Sequence, residues 1–398
     1  MGESNTSRVF GLDFMRAVAI LSVVLAHGGL VHLLVTTVSQ LAPGLAPSTY
    51  WFGLLSHAGL VGVEIFFVLS GFLIGGILLR SAGSLGTARG LLHFYARRWF
   101  RTLPLFWLFV ILNILLERFL RDRSLTGSEV LAHAFFLRNF DHVALSFFPE
   151  SWSLAVEEWF YLLFPAALWV GLRIAPRYFG RVFLICAGLF LILAVAARVH
   201  GAVQPGAEWV NGQRCTVLFR FDALMAGVLA AWVAQTQPTL WRRAVVPGAL
   251  AGLVIFALTY GGLWQWSFSP LTIAEAPDTF FARTFRFLLF PLGFALLLPL
   301  ASQWVPARES VWHTAVRKTA LWSYALYLVN WPLIQILSDP RIAPASQSWQ
   351  MVAGWFGLKI GVAFGISAAL YRFYEAPCTR SREKLPWAVP RPARAIAA

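Results

Sequence analysis

The sequence predicts an all-α fold, a polytopic membrane bundle of about ten spanning helices with both termini on the cytoplasmic side. Three observations predict it. The 398 residues are 58% hydrophobic and only 13% charged, with a mean hydropathy of +0.67, whereas soluble domains are about one-quarter charged. Separate apolar runs approach the roughly 20 residues needed to cross a hydrocarbon core of about 30 Å. The basic residues gather at one side: five arginines and no acid lie between Arg80 and Arg101, while Gly28 to Tyr50 holds neither Lys nor Arg. That asymmetry places the termini inside. The net charge of +14 therefore reads as topology, and a nucleic-acid partner is excluded.

Reading apolar runs against charged breaks places helices near 10–34, 51–79, 101–117, 152–174, 179–199, 215–235, 244–266, 284–301, 319–337 and 352–373. The first run carries Asp13, Arg16 and His27 and lacks a small-residue cleavage site, so it reads as a retained helix, with the chain beginning near Met1. Arg16 and His27 are eleven residues apart, which sets them on one face within about 20° and separates them by roughly 16 Å. The second helix places Glu64 near mid-membrane, where a carboxylate can orient His27. Its Gly71 and Gly75 form a small-residue ridge that admits a neighbouring backbone, the commoner outcome, or a thin ligand. The third is entered through Arg97, Arg98 and Arg101, of which Arg97 and Arg101 share a face. Such a guanidinium cluster suits phosphate oxygens or lipid headgroups. Between Glu117 and Pro149 the mixed sequence allows a re-entrant turn.

The fourth helix opens with Trp152 and carries Glu157 in its outer half. The sixth carries Arg220 and Asp222, for which a mutual ion pair is the favoured reading, and the ninth carries Asn330 beside Trp331-Pro332. An ionisable group in hydrocarbon costs a few kcal/mol or more, so each of these needs a partner, a wet cavity or a chemical role. Counting depth along straight helices predicts one polar pocket lined by His27, Glu157, Arg220, Asp222 and Asn330, with Glu64 just beneath. Residues 1–375 form the bundle and 376–398 a basic, flexible cytoplasmic tail. No internal repeat and no appended soluble domain is visible. Three cysteines, Cys186, Cys215 and Cys378, suggest neither a disulfide framework nor a metal site.

Seven segments in order resemble the membrane-bound acyltransferase-3 family: the Arg16 to His27 pairing, GVEIFFVLSGFLI, RRWFRTLP, SWSLAVEEWFY, RFDALMAG, SYALYLVNWPL and YRFYEAP. The resemblance spans nearly the whole chain. It implies a ten-helix fold, an acyl-CoA co-substrate from the cytoplasm and a carbohydrate or glycan acceptor. It also implies that His27 is the catalytic histidine, Arg16 its paired arginine, Arg97, Arg98 and Arg101 the cytoplasmic arginine motif, and Glu157 the fourth-helix acid. The chain departs from the family pattern at Asn330, where histidine is frequent, and at Glu64, where aspartate is frequent.

The resulting expectation is an O-acyltransferase, acetyl by default, in a bacterial cytoplasmic (inner) membrane. His27 serves as general base, with Glu64 and Glu157 orienting or balancing it. Arg16, Arg97, Arg98 and Arg101 hold acetyl-CoA, while Arg220, Asp222, Asn330 and Trp152 contact a glycan acceptor that is free or lipid-linked. Ser70 and Ser153 lack a base at predictable spacing, so direct transfer is preferred over a serine acyl-enzyme; a transient acyl group on His27 stays open. The alternatives are a proton-coupled transporter of a small solute or glycan precursor, and a scaffold for glycan assembly.

Overall fold

The computed structural model describes residues 9–41, 58–140, 147–204, 209–262, 280–344 and 348–382. Its principal helices are α1 (Phe10–Gly28), α2 (Leu30–Leu41), α3 (Ala58–Arg80), α4 (Ala88–Leu120), α5 (Gly127–Ala134), α6 (Ser151–Ile174), α7 (Phe179–Ala202), α8 (Phe221–Thr236), α9 (Val245–Phe256), α10 (Arg286–Gln303), α11 (Val311–Leu337) and α12 (Trp349–Leu370). Among the described residues, 9 helices are long and apolar enough to cross a membrane. The seventh expected span is shorter: α9 passes into a π-helical turn, Ala257–Gly262, and its expected end at 263–266 lies outside the described residues. Large apolar side chains such as Ile192, Leu193, Val246 and Leu250 are exposed on α7 and α9. Water would not tolerate such a surface, and a bilayer requires it. The chain is an integral membrane protein.

Local chemistry explains three departures from the expected boundaries. The first run breaks in two because Gly29 takes a left-handed φ of 96° and caps α1 through its N–H to the Leu25 carbonyl. Only glycine adopts that geometry without strain. The arginine-rich stretch expected as a loop is mostly helix. Thr87 accepts from the Gly90 N–H and starts α4 well before residue 101, giving 33 residues in one helix. The mixed segment after α4 holds a short helix, α5, started by a reciprocal capping box between Thr126 and Glu129. Those bonds from Thr126 hold the Glu129 carboxyl below its usual range. Trp107 and Trp159 donate to the carbonyls of Ala134 and Phe136 and tie this segment to α4 and α6. Its residues 141–146 lie outside the described ones.

α3 is the most buried of the spans, and it packs on α1 and, most extensively, on α8. Contact with α8 is backbone to backbone. A Cβ on Gly71 would sit 1.9 Å from the Leu224 carbonyl oxygen, and one on Gly227 would sit 2.1 Å from that of Val68. The small-residue ridge thus admits a helix, not a ligand. Lipid tails supply no hydrophobic push between helices, so such close approach is what holds them together.

A side chain at Gly71 must force α3 from α8. Gly71→Val is expected to destabilise the purified protein by about 1–3 kcal/mol, the usual range for overpacking. Gly354→Val, where a Cβ meets nothing within 4 Å, is expected to unfold with the wild type in detergent. Equal midpoints for the two variants would show that the ridge is not a packing contact.

Candidate active site

The expected single polar pocket is resolved into three separate places. The first is a pair of buried ion pairs at the α3, α7, α8 and α10 junction. Arg220 donates to both carboxylate oxygens of Glu64, and its guanidinium lies 4.4 Å from the Phe287 ring centroid. Asp222 instead pairs with Arg198 of α7, which also donates to the carbonyls of Phe219 and Thr284 at 2.7 and 3.0 Å. The mutual Arg220 to Asp222 pair is therefore incorrect, because each residue faces a different neighbouring helix. Glu64 is likewise engaged by Arg220 and makes no hydrogen bond to His27 among the described residues. Arg198 was missed by the sequence reading, although a lone arginine in the apolar run ending the fifth span was signal enough.

The second place is a cavity of about 120 Å³ enclosed by α1, α3, α4, α6 and α11. Arg16, Arg98 and Arg101 line it together with Glu157, Tyr161 and Tyr324. Arg97 does not: it is exposed, and its carbonyl accepts from Arg382 at 3.4 Å. The early start of α4 explains this, since the inward register passes through buried Phe94, Tyr95, Leu105 and Phe106, and the cavity takes Arg98 and Arg101 rather than Arg97 and Arg101. Arg16 also pairs with Asp13 at 3.0 Å. Glu157 accepts from the Tyr161 hydroxyl at 2.6 Å and from Ser70 at 3.3 Å, and the Ser70 and Tyr161 hydroxyls touch. Arg98 lies 5.6 Å from the centre of the Tyr161 ring. Tyr161 was legible as the i+4 neighbour of Glu157 and was not singled out.

His27 forms the third place, with Asn330 of α11, and neither residue lines the cavity. The Asn330 amide meets His27 Nδ1 at 2.9 Å, and the Trp331 ring stands edge-on to the imidazole at 5.8 Å between centroids. Nε2 points at α3, 3.8 Å from where a Cβ on Gly59 would sit. The Trp331 Nε1 is buried and has no hydrogen-bond partner among the described residues. Arg214, just before α8, lies within electrostatic reach of His27 and Glu64. It stacks at 4.7 Å over the buried ring of Trp152, and its Nε has no hydrogen-bond partner among the described residues. Arg214 lies outside all seven motif segments, so no sequence signal singles it out.

Two of these places are nearly continuous. Along α3 the cavity runs from Leu73 to Val63, about 15 Å at helical rise, and Gly59 beside His27 is one turn further, about 6 Å. Along α11 it reaches Tyr327, three residues before Asn330. The arginines thus occupy one end of a channel-like void and the imidazole stands just beyond the other. Among the described residues no group of three or more His, Cys, Asp or Glu side chains gathers.

Residues 9–372 match a family model described as an acyltransferase domain. The chain is 24% identical over 374 residues to the peptidoglycan O-acetyltransferase OatA of Listeria monocytogenes, covering 82% of this chain and 52% of that protein. It is 30% identical over 234 residues to YrhL of Bacillus subtilis, provisionally named a peptidoglycan O-acetyltransferase, covering 55% and 32%. A Staphylococcus aureus chain provisionally named an O-acetyltransferase is 27% identical over 314 residues, covering 69% and 46%. The chain spans about half or less of the length of these relatives. No solved structure matches it.

Removing one member of a buried ion pair strands the other charge, a loss of about 3–5 kcal/mol, whereas replacing both by apolar groups is often neutral. Glu64→Leu is therefore expected to unfold earlier in detergent than the double variant Glu64→Leu/Arg220→Met. If the double variant unfolds at the same temperature as the single one, Glu64 and Arg220 are not coupled.

Proposed function

The chain belongs to the acyltransferase family whose model covers residues 9–372, and from that premise we propose that it is a membrane O-acyltransferase. It moves an acyl group, acetyl in the first instance, from acyl-CoA to a hydroxyl of a carbohydrate acceptor. The single observation that carries this reading is the void with Arg16, Arg98 and Arg101 at one end and His27 one helical turn past the other. A phosphate-rich nucleotide on a long flexible arm fits that shape and complements that charge. Guanidinium groups suit its phosphates, and the slender void suits the arm.

With both termini inside, the arginine end faces the cytoplasm, where acyl-CoA is made, and His27 faces the outer half of a bacterial inner membrane. The glycan acceptor follows from relatives named for peptidoglycan O-acetylation. Glu157, held by Tyr161 and Ser70, sits in the donor cavity and sets the charge balance of the arginines there, rather than orienting His27. Arg97, outside the cavity, is left out of the donor site.

At His27 the chemistry requires a proton acceptor and a stabiliser of developing negative charge. Amide oxygen and nitrogen are interchangeable by a flip. With Asn330 Oδ1 toward the ring, the imidazole carries its proton on Nδ1 and presents an unprotonated Nε2. Nε2 takes the acceptor's hydroxyl proton as the oxygen attacks the thioester carbonyl. Collapse breaks the carbon–sulfur bond, and the departing thiolate recovers the proton from His27. The Trp331 N–H beside the ring, with the Arg214 guanidinium within electrostatic reach, supplies a donor for the oxyanion, and one such donor is worth about 10² to 10³ in rate.

The test is transfer of radiolabelled acetyl from acetyl-CoA to glycan by wild-type and variant membranes at matched protein level. His27→Ala is expected to lower transfer by about 10² to 10⁴-fold, the usual worth of a general base. Label appearing equally with His27→Ala would remove the base assignment, and acetyl-CoA neither bound nor consumed by the wild type would favour a transporter. In the same assay Arg98→Ala and Arg101→Ala are expected to raise the KM for acetyl-CoA with a smaller change in kcat, while Arg97→Ala behaves as wild type. An unchanged donor KM in both cavity variants would separate the arginines from donor binding.

A further inference from the structure

A second cavity, of about 230 Å³, lies at the His27 end of the bundle. Its walls are the corner between α1 and α2, the end of α11 and the first half of α12. Gly28, Gly29, His32, Ser338, Trp355 and Lys359 line it. The left-handed turn at Gly29 opens this corner by swinging α2 off the axis of α1. α1 then rests on α12 beside the lysine, for a Cβ on Gly28 would sit 3.3 Å from Ile360 Cδ1. The cavity is therefore immediately next to His27 in the chain and on the opposite side of it from the donor void.

Lys359 is the only charged residue of α12. It lies ten residues into that helix, about 15 Å along its axis. An intramembrane lysine demands a partner, yet among the described residues the ammonium has one hydrogen bond, to Ser338 Oγ at 3.3 Å, and no carboxylate pairs with it. The neighbouring acid, Asp339, is engaged elsewhere. It accepts from Arg341 Nε and Nη2 at 2.9 and 2.6 Å, which holds its carboxyl at about 2. His32 adds a second basic group to the lining, and no acid lines the cavity. The recess is thus cut into an apolar helix and lined by basic and neutral groups, with no acid among its lining residues.

We propose that this recess is an anchoring subsite for the acceptor, in which Lys359, assisted by Ser338 and His32, grips an anionic phosphate or carboxylate group and so sets the acceptor hydroxyl against His27. This rests on the acyltransferase reading. The acceptor class is thereby narrowed to anionic, hydroxyl-bearing molecules, whose charge sits either on a lipid carrier or on the glycan itself. Lys359 positions the substrate and takes no part in proton transfer.

The decisive measurement is equilibrium binding, independent of catalysis, to the full chain in nanodiscs. The probes are farnesyl phosphate, with farnesol as its uncharged analogue, and a galacturonate trisaccharide, with neutral galactotriose as its analogue. Wild type is expected to prefer at least one anionic probe over its analogue. Lys359→Gln is expected to bind that probe about tenfold more weakly, the usual worth of a charge-assisted contact, and Lys359→Arg to recover most of the affinity. Preference for farnesyl phosphate assigns the anion to a lipid carrier, and preference for the galacturonate assigns it to the glycan. No preference for either anion in wild type, or equal affinity in Lys359→Gln, overturns the subsite. Retained anion binding with no acetyl transfer by wild type would instead sink the acyltransferase reading and leave an anion site without the acceptor role.

Discussion

Pairing of charge inside the bilayer is the constraint on which the rest of this structure depends, and Glu64 with Arg220 is its centre. Both side chains are essentially inaccessible, at 1% and 0% of their exposed surface, so neither can be solvated by water or lipid. Their contact fixes α3 to the segment that opens α8, while the Gly71 and Gly227 contacts bring the two backbones together further along. Arg198 and Asp222 repeat the arrangement one neighbour away and add α7. Three charges that resemble part of a pocket in the sequence, Glu64, Arg220 and Asp222, are thus spent with Arg198 on holding the helices in register.

With those charges engaged, the chemistry divides along the bundle. Arg16, Arg98 and Arg101 stand at one end of a void, and His27 stands past its other end, with Asn330 fixing the ring. The separation has a physical reason. Guanidinium groups gathered at one place repel one another and need carboxylates or water beside them, whereas the imidazole is held by a side-chain amide. Glu157 accordingly lies with the cations, bonded to Tyr161 and Ser70. The aromatic partners follow the same division: Tyr161 beneath Arg98 in the cavity, Trp152 beneath Arg214 and Trp331 against His27 at the far end.

Much of the fold was legible in the chain because bilayer thickness converts directly into run length. The expected spans at 152–174, 179–199, 284–301 and 352–373 match described helices with ends shifted by at most three residues. Thr87 starts α4 early, Ser310 starts α11 early and α8 begins late at Phe221; the expected start of the second span, 51–57, lies outside the described residues. The break of the first run at Gly29 was not legible, since a Gly-Gly pair inside an apolar stretch is equally at home within a packed helix. The site was legible as a list of residues and not as an arrangement. His27 and Asn330 meet across 303 positions of sequence, and nothing in either local pattern announces it. Depth alone cannot pair side chains, because helices at one depth can be rotated freely about their axes.

The sequence by itself determined the solvent, the helical class and the approximate number of spans, through hydrophobicity that a bilayer alone can accommodate. It also determined the chemical inventory, since every polar group inside an apolar run carries a desolvation cost that only a partner or a function offsets. Tertiary structure decided how that inventory was divided. Rotation of α4 chose Arg98 and Arg101 over Arg97 for the cavity. The approach of α7 gave Asp222 to Arg198 and left Arg220 for Glu64. Packing of α1 between α3 and α11 set His27 against Asn330, and the turn at Gly29 opened the recess around Lys359. Each of these depends on the azimuth of one helix against another, a quantity fixed by side-chain interlocking across the whole bundle and carried by no single segment.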